Sequence, residues 1–141
     1  MKKIFFFDYD RTPNLKNKRK LRLYLDRLFI KEKKNIASVY YIFCSDNHII
    51  KINKDFLKHN YYTDVIGFNF ADSEEEIRAE IYISVDRVRE NAVKERVTYR
   101  EELHRVIFHG TLHLCGYDDK TEKDIVKMRK EENKHIEKYF K

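Results

Sequence analysis

Residues 98–119 read TYREELHRVIFHGTLHLCGYDD, and this stretch decides how the chain is understood. Thr98 followed three residues later by Glu101 is a capping box, in which the two side chains satisfy each other's backbone donors at a helix start. Leu103, Val106 and Ile107 then recur at helical spacing. Gly116 is placed to end the helix, because glycine takes the left-handed conformation at little cost. The spacing therefore predicts a helix from Thr98 to Gly116 that carries His109 and His113 four residues apart, on one face.

Two imidazoles on one helical turn can hold one ion. A chain reversal at Gly116 brings the residues that follow back towards them. Asp119 is the expected third ligand, and Asp118 is its rival. Three protein ligands leave a fourth position open, the arrangement of a catalytic zinc site. The spacing H-x-x-x-H-x-x-G-x-x-D is shared with metzincin-type proteases, in which a glutamate general base follows the first histidine. Gly110 stands there instead, so the ligand geometry is protease-like and the proton chemistry is not. A half-buried histidine pair with a glycine cap is the structural alternative. His104 lies five residues before His109, about 140° round the helix, and should face away. His48 and His135 fall in charged helical segments and read as surface residues.

Working outward, Lys3 to Phe7 is a short aromatic run that reads as a strand. Pro13 and Asn14 break the chain. Leu15 to Lys31 carries Leu21, Leu25, Leu28 and Phe29 at helical spacing. Asn35 to Cys44 reads as a strand. Ser45 caps an expected helix from Asp46 to about His59, with Ile49, Ile50 and Phe56 inward. Val65 to Phe70 and Glu80 to Val85 are further strands, separated by the acidic run Asp72 to Glu76. Ser84 caps a helix to about Arg96, and Thr121 with Asp124 begins a last one. The expected fold is α/β: a mixed sheet of about four strands packed with several helices, the metal site at the end of a central helix.

A chain of 141 residues fits a single domain spanning 1–141. Cys44 and Cys115 are far apart, form no C-x-x-C pair and sit in apolar segments, which points to a reducing compartment. Asp8 stops the N-terminal apolar run after four residues, too early for a signal peptide. No run approaches the roughly 20 apolar residues of a membrane span, so a cytoplasmic protein without membrane contact is expected. The net charge of +6 is uneven. Arg11 to Lys34 holds ten basic residues against Asp26 and Glu32, which is +8, and leaves −2 for the remainder. Such a segment either attracts a polyanion, most commonly nucleic acid, or is a solvated helix face.

The string HGTLHLCGYDD resembles the H-G-x-L-H-L-x-G-Y-D-H signature of the YbeY family of bacterial endoribonucleases. NKDFLKHNYYTDVIGF, residues 53–68, is similar to that family's N-x-x-[FY]-R-x-x-D-x-x-T-D-V-L-S-F. EIYISVDRVRENA, residues 80–92, is similar to its D-I-x-I-S-x-x-x-x-x-x-N-A. The resemblance covers roughly residues 35–120. It implies an α/β fold and one zinc ion per chain, or another divalent transition metal, on His109, His113 and Asp119. It implies single-stranded RNA as substrate, ribosomal RNA maturation as the role, and the small ribosomal subunit with its assembly factors as partners.

Three of the chain's departures from the family pattern bear on function. Asp119 replaces the usual last histidine, Leu57 stands where the family has an arginine thought to contact RNA phosphate, and Asn69 stands where proline often follows S-F. Lys58 and His59 are the neighbours that can supply the missing charge. Asp118, Glu80 and His59 are candidate general bases. Tyr61, Tyr62 and Tyr117 either stack unpaired bases or pack in the core. Two rival readings follow: a metalloprotease lacking its glutamate, and a non-catalytic RNA-binding assembly factor with a structural metal.

Overall fold

The computed structural model describes residues 2–57, 63–73 and 75–141. Its elements run β1 (Ile4–Asp8), α1 (Lys18–Lys31), β2 (Asn35–Cys44), α2 (Asp46–Leu57), β3 (Val65–Asn69), β4 (Glu76–Ser84), α3 (Val85–Glu95), α4 (Tyr99–Leu114) and α5 (Glu122–Tyr139). The sheet order is β1-β2-β4-β3. β1 and β4 run parallel to β2, and β3 is antiparallel to β4. Among the described residues the expected mixed four-stranded sheet is what forms, with α1, α2, α3 and α4 against it and α5 packed on α4.

Strand alternation assigns the two faces. Val39, Tyr41 and Phe43 of β2 and Ile77, Ala79, Ile81 and Ile83 of β4 join Leu21, Leu25, Leu28 and Phe29 of α1 and Leu103, Val106 and Ile107 of α4 in one buried cluster. On the other face Cys44, Ile49, Ile52 and Ile66 make a smaller cluster under α2. Both thiols are free and buried, and burial pushes each up to about 12, so neither is a thiolate at neutral pH.

Two boundaries and one inward face differ from expectation. α1 begins at Lys18 rather than Leu15, because Asn14 and Asn17 both take positive φ, 55° and 54°, and Asn17 caps the helix by accepting from Lys20 N–H. β4 begins at Glu76 rather than Glu80, because Ile77 and Ala79 alternate with exposed Arg78 and extend the pairing to Asn35 and Ile36 of β2. In α2 the inward residues are Ile49, Ile52 and Asn53, while Phe56 is 70% exposed. The end expected near His59 lies outside the described residues.

His135 is buried, not on the surface. It lies on the stripe Met128, Glu132, His135, Tyr139 of α5, and its Nδ1 is hydrogen-bonded to the Tyr24 hydroxyl at 2.6 Å. Burial pushes it down to about 4. Its neutral form is therefore built into the fold, and the sign follows: the contribution is present above the ordinary value of 6.5 and is lost as pH falls from there through about 4. We expect stability in urea to decline over that window, and His135→Phe to flatten the decline. An unchanged slope in the variant would remove His135 as the cause. His48 is half-buried, with its ring stacked 4.1 Å from that of Tyr9.

Candidate metal centre

α4 is built as the sequence implies. The Thr98 side chain accepts from Glu101 N–H at 3.0 Å. At the other end Tyr117 N–H donates to Leu112 O and Gly116 N–H to His113 O, both at 3.1 Å, with Gly116 at φ 102°. This paired closure with a left-handed glycine is a Schellman motif, and it turns the chain back so that Asp118 and Asp119 return to the helix end. Within the helix, Thr111 donates to Ile107 O at 2.8 Å and accepts from buried Tyr41 at 2.6 Å. These bonds fix its rotation against β2.

Gly110 has a positive reason to be glycine. A Cβ there would lie 2.9 Å from Ile81 Cγ2 and 3.2 Å from Val65 Cγ2. The helix therefore touches β4 and β3 at this point, with no room for a glutamate. His104 faces away, as expected. Its Nδ1 hydrogen-bonds Arg100 O at 2.7 Å, and its ring stacks 5.2 Å from that of Tyr139.

His109 and His113 present their rings 6.0 Å apart, and Asp119 lies against both. His109 Nε2 is 3.4 Å from Asp119 Oδ2, and His113 Nε2 is 3.6 Å from Oδ1. Tetrahedral zinc with bonds near 2.0–2.1 Å separates its ligand atoms by about 3.3 Å. Each histidine thus stands from Asp119 at about the distance a shared ion would require. A second grouping competes: His113, Asp118 and Asp119 bring ligand atoms within 4.8 Å of one another without His109. The orientation of His109 favours the first. Its Nδ1 is 2.7 Å from Glu132 Oε2, which leaves Nε2 directed at Asp119.

Glu132 was not legible as part of a site. It is 5% exposed on α5, and Arg105 holds its other oxygen at 3.4 Å while also bonding Asn133 at 2.7 Å. A carboxylate on the second nitrogen of a ligating histidine fixes the tautomer and raises its basicity. Burial works against a charged His109, but the hydrogen bond and charge of Glu132, with the charges of Asp64 and Asp119, outweigh it and raise the histidine's pKa. The one available signal was positional: Glu132 falls in the buried stripe of α5, where an unpaired carboxylate would be costly. Nearby, burial raises the Asp64 carboxyl. Burial and then the charge of Asp64 push Glu102 up to about 7. Asn91 Nδ2 donates to Asp64 at 3.2 Å.

We expect Glu132→Gln, which keeps a hydrogen-bond acceptor and loses the charge, to weaken metal binding by about tenfold. Glu132→Ala should weaken it by up to about 100-fold. Titration against a chromogenic chelator measures this, and wild-type affinity in Glu132→Ala would show that the contact orients nothing.

The histidines and Asp119 border a cleft of about 580 Å³, lined also by Asn53, Leu57, Asp64, Gly67 and Asn69. Leu57, the residue in the arginine position, is therefore in the cleft, and so is Asn69. Among the described lining residues none is Lys or Arg. Lys58, His59, Tyr61 and Tyr62 lie outside the described residues. Glu80 is not at the site. It alternates with Ile81 onto the α2 face and accepts from Tyr82 at 2.7 Å. Tyr117 packs against the core and donates to Glu32 at 3.2 Å.

The basic segment divides in two. Arg11 pairs with Asp86 at 3.0 Å, Lys20 donates to Tyr139 O and Arg22 to Ile4 O, each at 2.9 Å, so these cations serve the fold. α1 packs beside β1, three strands and about 14 Å from β3. Its C-terminal end, however, meets the loop after α4 through the Glu32–Tyr117 bond. Lys31, Lys33 and Lys34 flank Glu32 in sequence at that end.

Fold and site together define a class: an α/β protein with a His/Asp group able to bind a metal at the end of a helix, beside an open cleft. Residues 9–140 match the family described as Endoribonuclease YbeY. The chain belongs to that family. It is 45% identical over 130 residues to Endoribonuclease YbeY of Cytophaga hutchinsonii, covering 92% of this chain and 91% of that one. The Flavobacterium johnsoniae protein of the same name is 39% identical over 92% of this chain and 93% of its own. The solution structure of TM1509 from Thermotoga maritima superposes with a TM-score of 0.63 at 29% identity, over 97% of this chain and 89% of that one. Among the described residues no helix is long and apolar enough to cross a membrane.

Proposed function

We propose that this chain is a single-strand-specific endoribonuclease of ribosomal RNA processing, acting on 16S rRNA maturation and ribosome quality control in the cytoplasm. The observation that carries the reading is the His109–His113–Asp119 group beside an open cleft, in a chain of the YbeY family. These three residues would hold one zinc ion. A zinc ion so bound supplies Lewis acidity for phosphodiester hydrolysis. The chain's own part is positional. Glu132 orients His109, the Asp118 carboxylate holds Asp119 N–H at 2.9 Å, and Gly110 lets the helix lie close against the sheet beside the cleft. Lys31, Lys33 and Lys34 would attract the backbone of a long RNA, and the small ribosomal subunit with its assembly factors would be the setting.

The test is cleavage of single-stranded RNA by metal-loaded protein, with a duplex of the same sequence as control. Binding should weaken steeply with salt, and reversing the charges at Lys31, Lys33 and Lys34 should flatten the dependence. One observation favours a second reading, a non-catalytic assembly factor with a structural metal: the described cleft lining has no Lys or Arg for phosphate. Tight RNA binding without cleavage by metal-replete protein would select it. A peptidase reading is disfavoured by Gly110.

A further inference from the structure

β3 is an edge strand, and its two sides differ. Val65, Gly67 and Asn69 border the metal cleft. On the α2 side, the rings of Phe68 and Phe70 stack with centroids 6.0 Å apart, and Phe56 of α2 meets Phe68 edge-on, also at 6.0 Å. Phe68 is half-buried against Tyr82 at 6.1 Å and backs both outer rings. Phe56 is 70% exposed and Phe70 56%. Their chain neighbours, Leu57 and Asn69, line the cleft. Two braced phenyl rings therefore stand in water at the lip of the candidate active site.

Phenylalanine has no polar atom to justify this exposure, and the chemistry around the rings selects an occupant. Two rings offer at most roughly 400 Å², about half of what one partner contributes to a standard protein interface. A second copy of the chain or a folded partner would find too little there. Flat aromatic faces suit unpaired nucleobases, which stack on them regardless of sequence. Exposed Lys51 and Lys54 lie on the same helix as Phe56, against exposed Asp55 and, at the start of the helix, Asp46, which pairs with Arg87 at 3.1 Å, and they complement a phosphate backbone. A strand longer than the cleft must leave it, and the way over β3 leads onto these rings.

We propose that Phe56 and Phe70 form a stacking step for unpaired bases of the RNA strand as it passes from the metal cleft over β3. The inference rests on the cleft being an RNA site. The experiment uses the full chain carrying Phe56→Leu and Phe70→Leu together, which removes the aromatic faces and keeps the apolar bulk. Two single-stranded RNAs are compared, of about 16 and about four nucleotides, the range of sizes that single-strand sites accommodate. Cleavage kinetics are measured on metal-loaded protein, and equilibrium binding by fluorescence anisotropy on metal-free protein.

For the longer RNA, KM and the binding constant should each worsen by about 10–100-fold, since one base stacked on an aromatic ring accounts for roughly tenfold or more. Metal content, kcat and the values for the shorter RNA should be unchanged. Phe56→Tyr with Phe70→Tyr should restore wild-type values. Wild-type affinity of the leucine variant for the longer RNA overturns the stacking step and leaves the RNA reading intact. A wild-type chain that neither binds nor cleaves single-stranded RNA overturns both.

Discussion

Asp119→Ala is expected to lose its metal and RNA cleavage together, while Asp118→Ala keeps most of both. Asp119 is the carboxylate that reaches both imidazoles, at 3.4 and 3.6 Å. Removing it leaves two histidines, of which, among the described residues, His109 alone has a buried orienting partner, Glu132. The affinity loss should exceed the roughly 10–100-fold that losing an outer hydrogen bond costs. Asp118 acts differently, through its hydrogen bond from Asp119 N–H. Its removal loosens the loop without taking away a ligand, so a loss below about tenfold is expected. Asp119→His should retain the metal, because imidazole is an equally good zinc ligand. Elemental analysis of the untagged proteins, followed by chelator competition, reads all three. If Asp118→Ala were the variant that arrives without metal, the third ligand would be Asp118.

Gly110→Glu should fail to give a stably folded protein, although it restores the residue that a metzincin-like motif would carry. A Cβ at 2.9 Å from the branched Ile81, itself fully buried, must displace β4 or the helix. The remaining side chain would bury a carboxylate among Ile81 and Val65 without a partner, one of the few routes to losses above about 4 kcal/mol. Gly110→Ala isolates the first effect. Alanine in a helix ordinarily gains about 1 kcal/mol over glycine, and the overpacking cost of about 1–3 kcal/mol should cancel or reverse that gain. Urea unfolding of Gly110→Ala and the soluble yield of Gly110→Glu measure the two. A Gly110→Glu protein as stable as wild type would mean that the helix can shift away from the sheet, and a peptidase assay on it would then be worth running.

Gly110 also shows where sequence reading reaches its limit. From the motif it reads as a missing general base, a statement about chemistry. In the fold it is a contact between α4 and the sheet, at the border of the cleft. Phe56 shows the same limit in reverse: helical spacing turns it inward, yet Ile52 and Asn53 take the buried side of α2, because where the sheet lies under a helix is not written in the helix.

What the sequence by itself determined is what local physics controls. The capping box at Thr98, the glycine stop at Gly116 and the four-residue spacing of His109 and His113 all act within a helical turn or two, so they were readable along the chain. Strand alternation likewise placed most of the sheet. Tertiary structure alone decided that Glu132, 23 residues beyond His109, orients it. It also brought Asp64 close enough for its charge to act on His109, buried His135 against Tyr24, and carried Glu80 to the face away from the His/Asp group. Each of these depends on which surfaces pack together. Packing is set by the summed fit of many distant side chains, so no single stretch of sequence contains it.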